Sequence, residues 1–335
     1  MKNCFLLLLL ALATVFQGCK KDDEEPIKIE EPVVEEGCDF AVEECPFGAS
    51  FAPVGAEYLF PCFNPSDPNE FLYVKNDFSN SLSIHKYNLL TKQNTLIVAN
   101  VYPLHQPDWS RTGWIVFSDM DWKVWKVRDN GTGLQRITSG VDDQRPVFNP
   151  AGDKIIYCRD SDGDSKMLII DINGNPLDSI CSVRFNQCMN WFYSSWNEPD
   201  RILRATFTPQ GRDSELSYYN FATKQEEPAL FIHKEEEVNK GFLFTDYEAV
   251  SQTKVYYSMI FKGLVEFDAN AQKHRVIRPY CDKRLYSNFD ISPDKALILA
   301  EKETKSYIRE CAYKRKRSIV IMNIDGTNEQ EITLP

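Results

Sequence analysis

The stretch DSDGDS places Asp160, Asp162 and Asp164 at alternate positions, the opening spacing of a calcium-binding loop. These are the candidate metal ligands of the chain. The remainder of such a loop is missing, because Ser165 stands where its glycine belongs and Asp171, at the twelfth place, falls within a predicted strand. A polar hairpin loop explains the same residues, since matching loops read SDMDWK and KNDFSN. The basic run KRKR, Lys314 to Arg317, could meet a phosphate or an acidic glycan, and it equally fits the solvated flank of a strand. Trp122, in the loop DMDWK, could stack on a sugar ring or a partner protein. Trp191, Phe192 and Tyr193 form a second aromatic cluster of that kind. No Gly-x-Ser-x-Gly elbow, HExxH helix or phosphate-binding loop occurs, so no residue is assigned a catalytic role and no cofactor is expected. Four histidines and the absence of a CxxC pair disfavour a zinc site.

The chain that must position these residues has 335 amino acids, 43% of them hydrophobic and 13% aromatic, with a formal net charge of -11. An acidic chain of this kind does not make a phosphate-wide nucleic-acid interface and adsorbs poorly to anionic lipid. No long segment has helical periodicity, so the expected class is all-β.

The organisation is a repeat. VWKVRDNGTGLQRIT, from Val124, is matched by IVIMNIDGTNEQEIT, from Ile319. Laying the chain against Gln106 to Thr138 gives six units at a period of roughly 45 residues, the period of four-stranded propeller blades. Each unit has a strand ending in an aromatic residue, a turn, a strongly apolar second strand, a polar hairpin loop, a third strand, and an Asn-Gly or Asp-Gly turn into a fourth. Phe63, Trp109, Phe148 and Trp196, the aromatics before the first turn, are expected to fill the wedge between blades. Trp109, Trp114 and Trp125 are expected in the core. Two units between Asn190 and Ile277 are degraded, so the boundaries of blades four and five stay open.

The units PDWSRTGWIVF, PVFNPAGDKIIY and FDISPDKALIL, with DNGTGLQRIT and MNIDGTNEQEIT, resemble the TolB-like, or WD40-like, propeller repeat. The resemblance runs over roughly Tyr58 to Pro335 and implies a six-bladed propeller of four-stranded antiparallel blades. The helical domain that precedes the propeller in TolB itself has no counterpart, so the resemblance implies the fold rather than TolB's own role. The first residues read as a leader: Lys2, an apolar run from Phe5 to Phe16, then FQGC. This resembles the lipobox of bacterial lipoproteins, which implies cleavage after residue 18 and a lipid on Cys19. The following KKDDEE looks like the export signal of surface-exposed lipoproteins in Bacteroidota-type bacteria. The expected layout is leader 1–18, lipidated cysteine and acidic tether 19–37, a Cys-containing lead 38–57, and propeller 58–335. Cys4 and Cys19 aside, eight of the ten cysteines remain. Cys158, inside KIIYC, reads as a buried free thiol. The pairing of Cys38, Cys45, Cys62, Cys181, Cys188, Cys281 and Cys311 stays open.

The sequence thus favours an outer-membrane lipoprotein, surface-exposed or periplasm-facing. Its monomeric propeller would bind or scaffold a protein or glycan in the cell envelope, touch the membrane only through its lipid, and bind no nucleic acid. The alternative is an enzyme, a lyase or hydrolase acting on polysaccharide or oligosaccharide at the channel mouth. That reading requires clustered carboxylates in the channel.

Overall fold

The computed structural model describes residues 50–335 except 80, 162–163, 181–193, 208–213, 234–243, 260–261, 282 and 310–311. These residues lie in one compact unit. A single strand, β1 (Ser50–Pro53), precedes six sheets. Blade 1 is β2 (Glu57–Asn64), β3 (Asp67–Asn76), β4 (Leu82–Asn88) and β5 (Asn94–Val101). Blade 2 is β6 (Asp108–Trp109), β7 (Trp114–Ser118), β8 (Val124–Arg128) and β9 (Gln135–Arg136). Blade 3 is β10 (Asp143–Phe148), β11 (Lys154–Ser161), β12 (Asp164–Asp171) and β13 (Pro176–Ile180). Blade 4 is β14 (Ser194–Glu198), β15 (Arg201–Phe207) and β16 (Ser214–Asn220), with an outer strand broken into β17 (Gln225–Glu226) and β18 (Phe231–His233). Blade 5 is β19 (Phe244–Ser251), β20 (Lys254–Met259), β21 (Gly263–Asp268) and β22 (Lys273–Pro279). Blade 6 is β23 (Arg284–Ile291), β24 (Leu297–Arg309), β25 (Ala312–Asn323) and β26 (Gln330–Glu331).

Within each blade the sheet order follows the chain, and the first strand is innermost. The six first strands touch one another in ring order, β23 returning to β2, so the ring is closed. An antiparallel sheet of four short strands cannot bury both faces alone, and radial packing supplies the second cover. The burial has that form. Each of the six apolar clusters joins two neighbouring blades, including Phe63, Phe71 and Tyr73 of blade 1 with Leu299 and Ile319 of blade 6. Trp109 packs into the blade 1–2 cluster, Phe148 into 2–3 and Trp196 into 3–4, so the aromatics before the first turn fill the wedges as expected. Trp114 and Trp125 depart from the expected core. Both are only partly buried, because each has polar company: Arg128 and Lys126 lie over the Trp114 ring, and the Trp125 Nε1 donates to Asp119 at 2.6 Å.

The repeated glycine has a structural reason. Gly131, Gly174 and Gly326 have φ of 83°, 89° and 86°. A Cβ there would lie 2.8, 2.5 and 2.8 Å from the backbone oxygens of Ile97, Ile137 and Ile277. Each of those carbonyls belongs to the preceding blade, so the Asn-Gly or Asp-Gly turn is both a hairpin and the point where the backbones of two blades meet.

Blade 6 departs from the others. Its middle strands run for 13 and 12 residues, and β1 pairs in parallel with the far end of β25, Ser50 to Pro53 against Ala312 to Arg315. Three residues of the basic run, which lies on β25, are paired: Arg315 with Glu57, Lys316 with Glu331, and Arg317 with Glu301 and Glu303. Arg315 also lies over the Phe51 ring. The run is a paired strand flank rather than an open anion site. Cys158 is a buried free thiol, Cys62 is another, and Cys281 is disulfide-bonded.

Candidate functional site in the channel

The innermost strands line a channel with a cavity at each end. At one end the cavity measures ≈ 130 Å³ and is lined by His105, Gln106, Arg145 and Asp246. At the other it measures ≈ 280 Å³, among Ser110, Asn149 and Ser292 of the first turns. Cys62, Asp108, Phe148, Trp196, Glu248 and Asp290 line both cavities and form the waist between them.

The acids of the waist are tied to the fold. Asp108 accepts from Trp109 N at 3.0 Å and, across the blade boundary, from Phe148 N at 2.5 Å. Asp290 accepts from Ile291 N at 2.8 Å and from Phe63 N at 2.6 Å. Asp246 accepts from Tyr247 N at 2.8 Å and Phe289 N at 2.9 Å, and Glu248 accepts from Ile291 N at 2.9 Å. Every one of these carboxyl groups therefore bonds the inner strand of the next blade. The reason is accounting: innermost strands leave backbone N–H groups facing the channel, and a buried N–H must find an acceptor. In blade 1 the corresponding place holds Cys62, whose sulfur faces the Trp109 N–H.

Burial sets the protonation of this ring. It pushes Asp108 and Asp290 up to about 6 and raises Asp246 and Glu248 well above the usual carboxylate range. Glu248 shares a hydrogen bond with Asp290, and the Asp290 charge adds to burial in opposing its ionisation. Burial also raises the Cys62 thiol and lowers His105 to about 3, leaving a neutral imidazole at the mouth.

His105 leads to the rim. Its ring lies 6.5 Å from that of Trp122, at the tip of the β7–β8 hairpin. Trp122 is 38% exposed, and Met120 and Val141 beside it are 56% and 80% exposed. The rim loops are bonded together, Asp143 N to Trp122 O at 2.9 Å and Lys123 Nζ to Val141 O at 3.3 Å. Asp160 lies in the neighbouring β11–β12 hairpin, its N–H on the Asp142 carbonyl at 2.9 Å. Asp162, Trp191, Phe192 and Tyr193 lie outside the described residues, as does the side chain of Asp164. Among the described residues no group of three or more His, Cys, Asp or Glu is arranged to hold a metal ion. The waist acids are what sequence reasoning missed. Their signal was an acid directly before the aromatic or apolar residue of the first strand, in PDW and FDI.

No protein-family model matches the sequence, and no curated protein does. Solved structures do match in fold. One is the putative TolB from Agrobacterium tumefaciens, 10% identical over 74% of this chain and 87% of that one, with a TM-score of 0.56. The fold is a TolB-like six-bladed propeller. The β-propeller domain of the Trilobed protease from Pyrococcus furiosus matches 84% of this chain and 99% of its own, at 13% identity and a TM-score of 0.55. That domain has an open velcro topology, whereas here β1 adds to the last blade. Acylaminoacyl peptidase from Pyrococcus horikoshii matches 83% of this chain at 14% identity and a TM-score of 0.53, and the match spans 52% of the peptidase. Identities this low speak for the fold alone.

Proposed function

We propose that this TolB-like propeller is a binding or scaffolding module of the cell envelope, offering a protein or glycan partner the face on which Trp122 stands. The observation that carries the reading is the rim: an exposed tryptophan, with Met120 and Val141, next to the mouth of a channel. Exposed apolar groups gathered at one place on the surface are the composition of a binding patch. The channel acids support the same reading, since all four are engaged in holding strands. The test is a photo-crosslinking residue at position 122, with position 90 as control. Leu90 is 73% exposed in the turn after β4, at the opposite end of the channel. A discrete adduct in the native envelope from 122 and none from 90 is the expected result. Equal labelling from both ends, or no adduct, overturns the reading.

The address belongs to the same proposal. Leader 1–18, anchor Cys19, tether 19–37, lead 38–57 and propeller 58–335 compose an outer-membrane lipoprotein, surface-exposed or periplasm-facing, that touches the membrane only through its lipid. The support is FQGC followed by KKDDEE. Cys19→Ala is expected to abolish incorporation of a labelled fatty acid into the protein, an all-or-none effect because Cys19 is the residue that carries the lipid. Undiminished fatty-acid labelling of that variant would sink the assignment.

One observation favours the second reading, an enzyme acting on polysaccharide or oligosaccharide at the channel mouth. Glu248 and Asp290 are hydrogen-bonded to each other within the channel and burial raises both, and a carboxyl pair of this kind can divide the roles of acid and base. Release of reducing ends from extracellular polysaccharide, abolished in Glu248→Gln, would establish it.

A further inference from the structure

Blade 2 carries apolar surface that packing within the fold leaves open. Of the ten large hydrophobic side chains exposed among the described residues, four (Met120, Trp122, Leu134 and Val141) belong to blade 2 and the chain leaving it. Exposed apolar residues scattered singly need no explanation, but a gathered set marks a surface that meets something. Trp122 stands beside His105 at the channel mouth. Met120 and Leu134 instead line a groove of ≈ 600 Å³ between the end of β5 in blade 1 and the β7–β8 hairpin of blade 2. They are 56% and 45% exposed, whereas Phe117 and Trp125, which line the same groove, are buried fully and in part. The volume lies within the ~300–1,000 Å³ of ordinary ligand sites.

The lining points to the chemistry of the occupant. Its charged residues are Asp119 and Asp121, and no basic residue lines it. Asp119 is engaged, accepting from Trp125 Nε1 at 2.6 Å and Lys123 N at 3.0 Å. Asp121 is exposed, and Lys123 Nζ bonds its backbone carbonyl at 2.8 Å. A cation brought by a partner therefore meets complementary charge at this edge of the groove. Methionine and leucine side chains adapt to aliphatic neighbours, and methionine recurs at surfaces that take varied peptides. A sugar ring calls for an open aromatic face, but the Trp125 ring is partly covered and its N–H is already bonded to Asp119.

We propose that this groove docks a segment of a partner protein that carries aliphatic residues beside a lysine or arginine. The aliphatic side chains cover Met120 and Leu134, and the cation sits by Asp121. The proposal rests on the binding reading above and narrows the partner to a protein.

The test is fluorescence anisotropy on the purified full-length protein. The probes are labelled hexapeptides in which leucine alternates with lysine, serine or glutamate, and labelled maltohexaose. The salt is about 0.15 M, where exposed charges more than ~8 Å apart are largely screened. Saturable binding is expected, tightest for the lysine peptide and weakest for the glutamate one. Met120→Ser and Leu134→Ser should each weaken it about tenfold, while Leu90→Ser leaves it unchanged. Both groove positions are exposed, and an unchanged far-UV spectrum confirms that the variants fold. Asp121→Lys should remove the advantage of the lysine peptide over the serine one. Absence of saturable peptide binding overturns the proposal, and so does tighter binding of maltohexaose. Binding that ignores Met120→Ser and Leu134→Ser also overturns it, as general attraction of a cation to an acidic protein. Failure here with position-122 cross-linking intact removes the groove alone. Peptide binding retained without a cross-link from 122 upholds the groove and removes the mouth reading alone.

Discussion

Gly174→Ala lowers the unfolding free energy by about 3 kcal/mol, well beyond the cost of the same change at Gly55, about 1 kcal/mol. Both glycines have positive φ, 89° and 72°. Both substitutions therefore place an L side chain in a conformation it adopts at a cost. Only Gly174 adds a collision. Its Cβ would lie 2.5 Å from the Ile137 carbonyl oxygen, a backbone atom that cannot rotate aside, whereas nothing lies within 4 Å at Gly55. The turn of blade 3 would have to retreat from blade 2, opening the cluster in which Val116 and Ile137 pack on Phe148. Urea unfolding of the two variants measures the difference. Equal costs at the two sites would mean that blade contact at the repeated glycine contributes nothing.

Stability falls as pH rises from about 4 to 6 and beyond, because the waist acids favour the protonated form. Asp108 and Asp290 titrate at about 6 when folded, above an ordinary aspartate. Between the ordinary value and 6 the folded state holds protons that the unfolded chain has released. The stability they confer is thus complete below the unfolded value and is lost as pH rises through the folded one. Each group changes stability by up to about 1.4 kcal/mol per pH unit in that window. Asp246 and Glu248, raised further, extend the decline to higher pH. Cys62, also raised, stays protonated beside them, and Arg145 is the nearby positive charge, which lowers Asp246 against the effect of burial. Groups elsewhere act oppositely. Burial raises Glu266 and Glu329, but bonds from Arg275 and Tyr256, and from Lys302 and Tyr286, outweigh it and hold both below the usual range. Their contribution is present above the unfolded value and disappears as pH falls through the folded one. The two trends oppose one another in the acid range, and above the ordinary carboxylate value only the decline remains. Melting temperatures across pH 4 to 8 check it, and Asp108→Asn should flatten the upper limb. A melting temperature that climbs steadily from pH 5 to 8 would show that the ring is ionised in the native state.

The fold was legible because repetition makes a weak signal count several times. A strand, a turn and an Asn-Gly or Asp-Gly dipeptide recur at fixed spacing, and a misread copy is corrected by its neighbours. Blade 5 was the hardest to bound, and there the first turn is only Gln252 and Thr253 between β19 and β20, with none of the residues of its counterparts. The site was less legible. Asp108 and Asp290 sit in plain view beside the aligned aromatics, but strand pattern alone assigns an acid to solvent. What reverses that assignment is ring closure, which turns the first strands toward one another and leaves their N–H groups in need of acceptors. Glu248 was harder still, because bulges in β19 shift its register. Nor could the four residues of β1 be read as a strand, since they form one only by adding to an edge supplied by residues 312–315. Trp122 was placed correctly in its loop. Its position beside His105 depends on contact between two loops that are distant from the repeat's alternating pattern.

That added strand governs how the protein behaves in company. Beyond β26, which covers only Val320 and Ile321, the outer edge of β25 would present a row of unsatisfied backbone groups on a long, protruding hairpin. β1 occupies that row, with Phe51 stacked on Tyr313 and Arg315 closing over it. An open edge of this kind recruits strands from other molecules. A version trimmed past Pro53 would keep its ring of inner strands yet carry an adhesive border, and its solubility would then depend on concentration. The first few residues of the folded unit thus serve the propeller as a built-in guard against self-association.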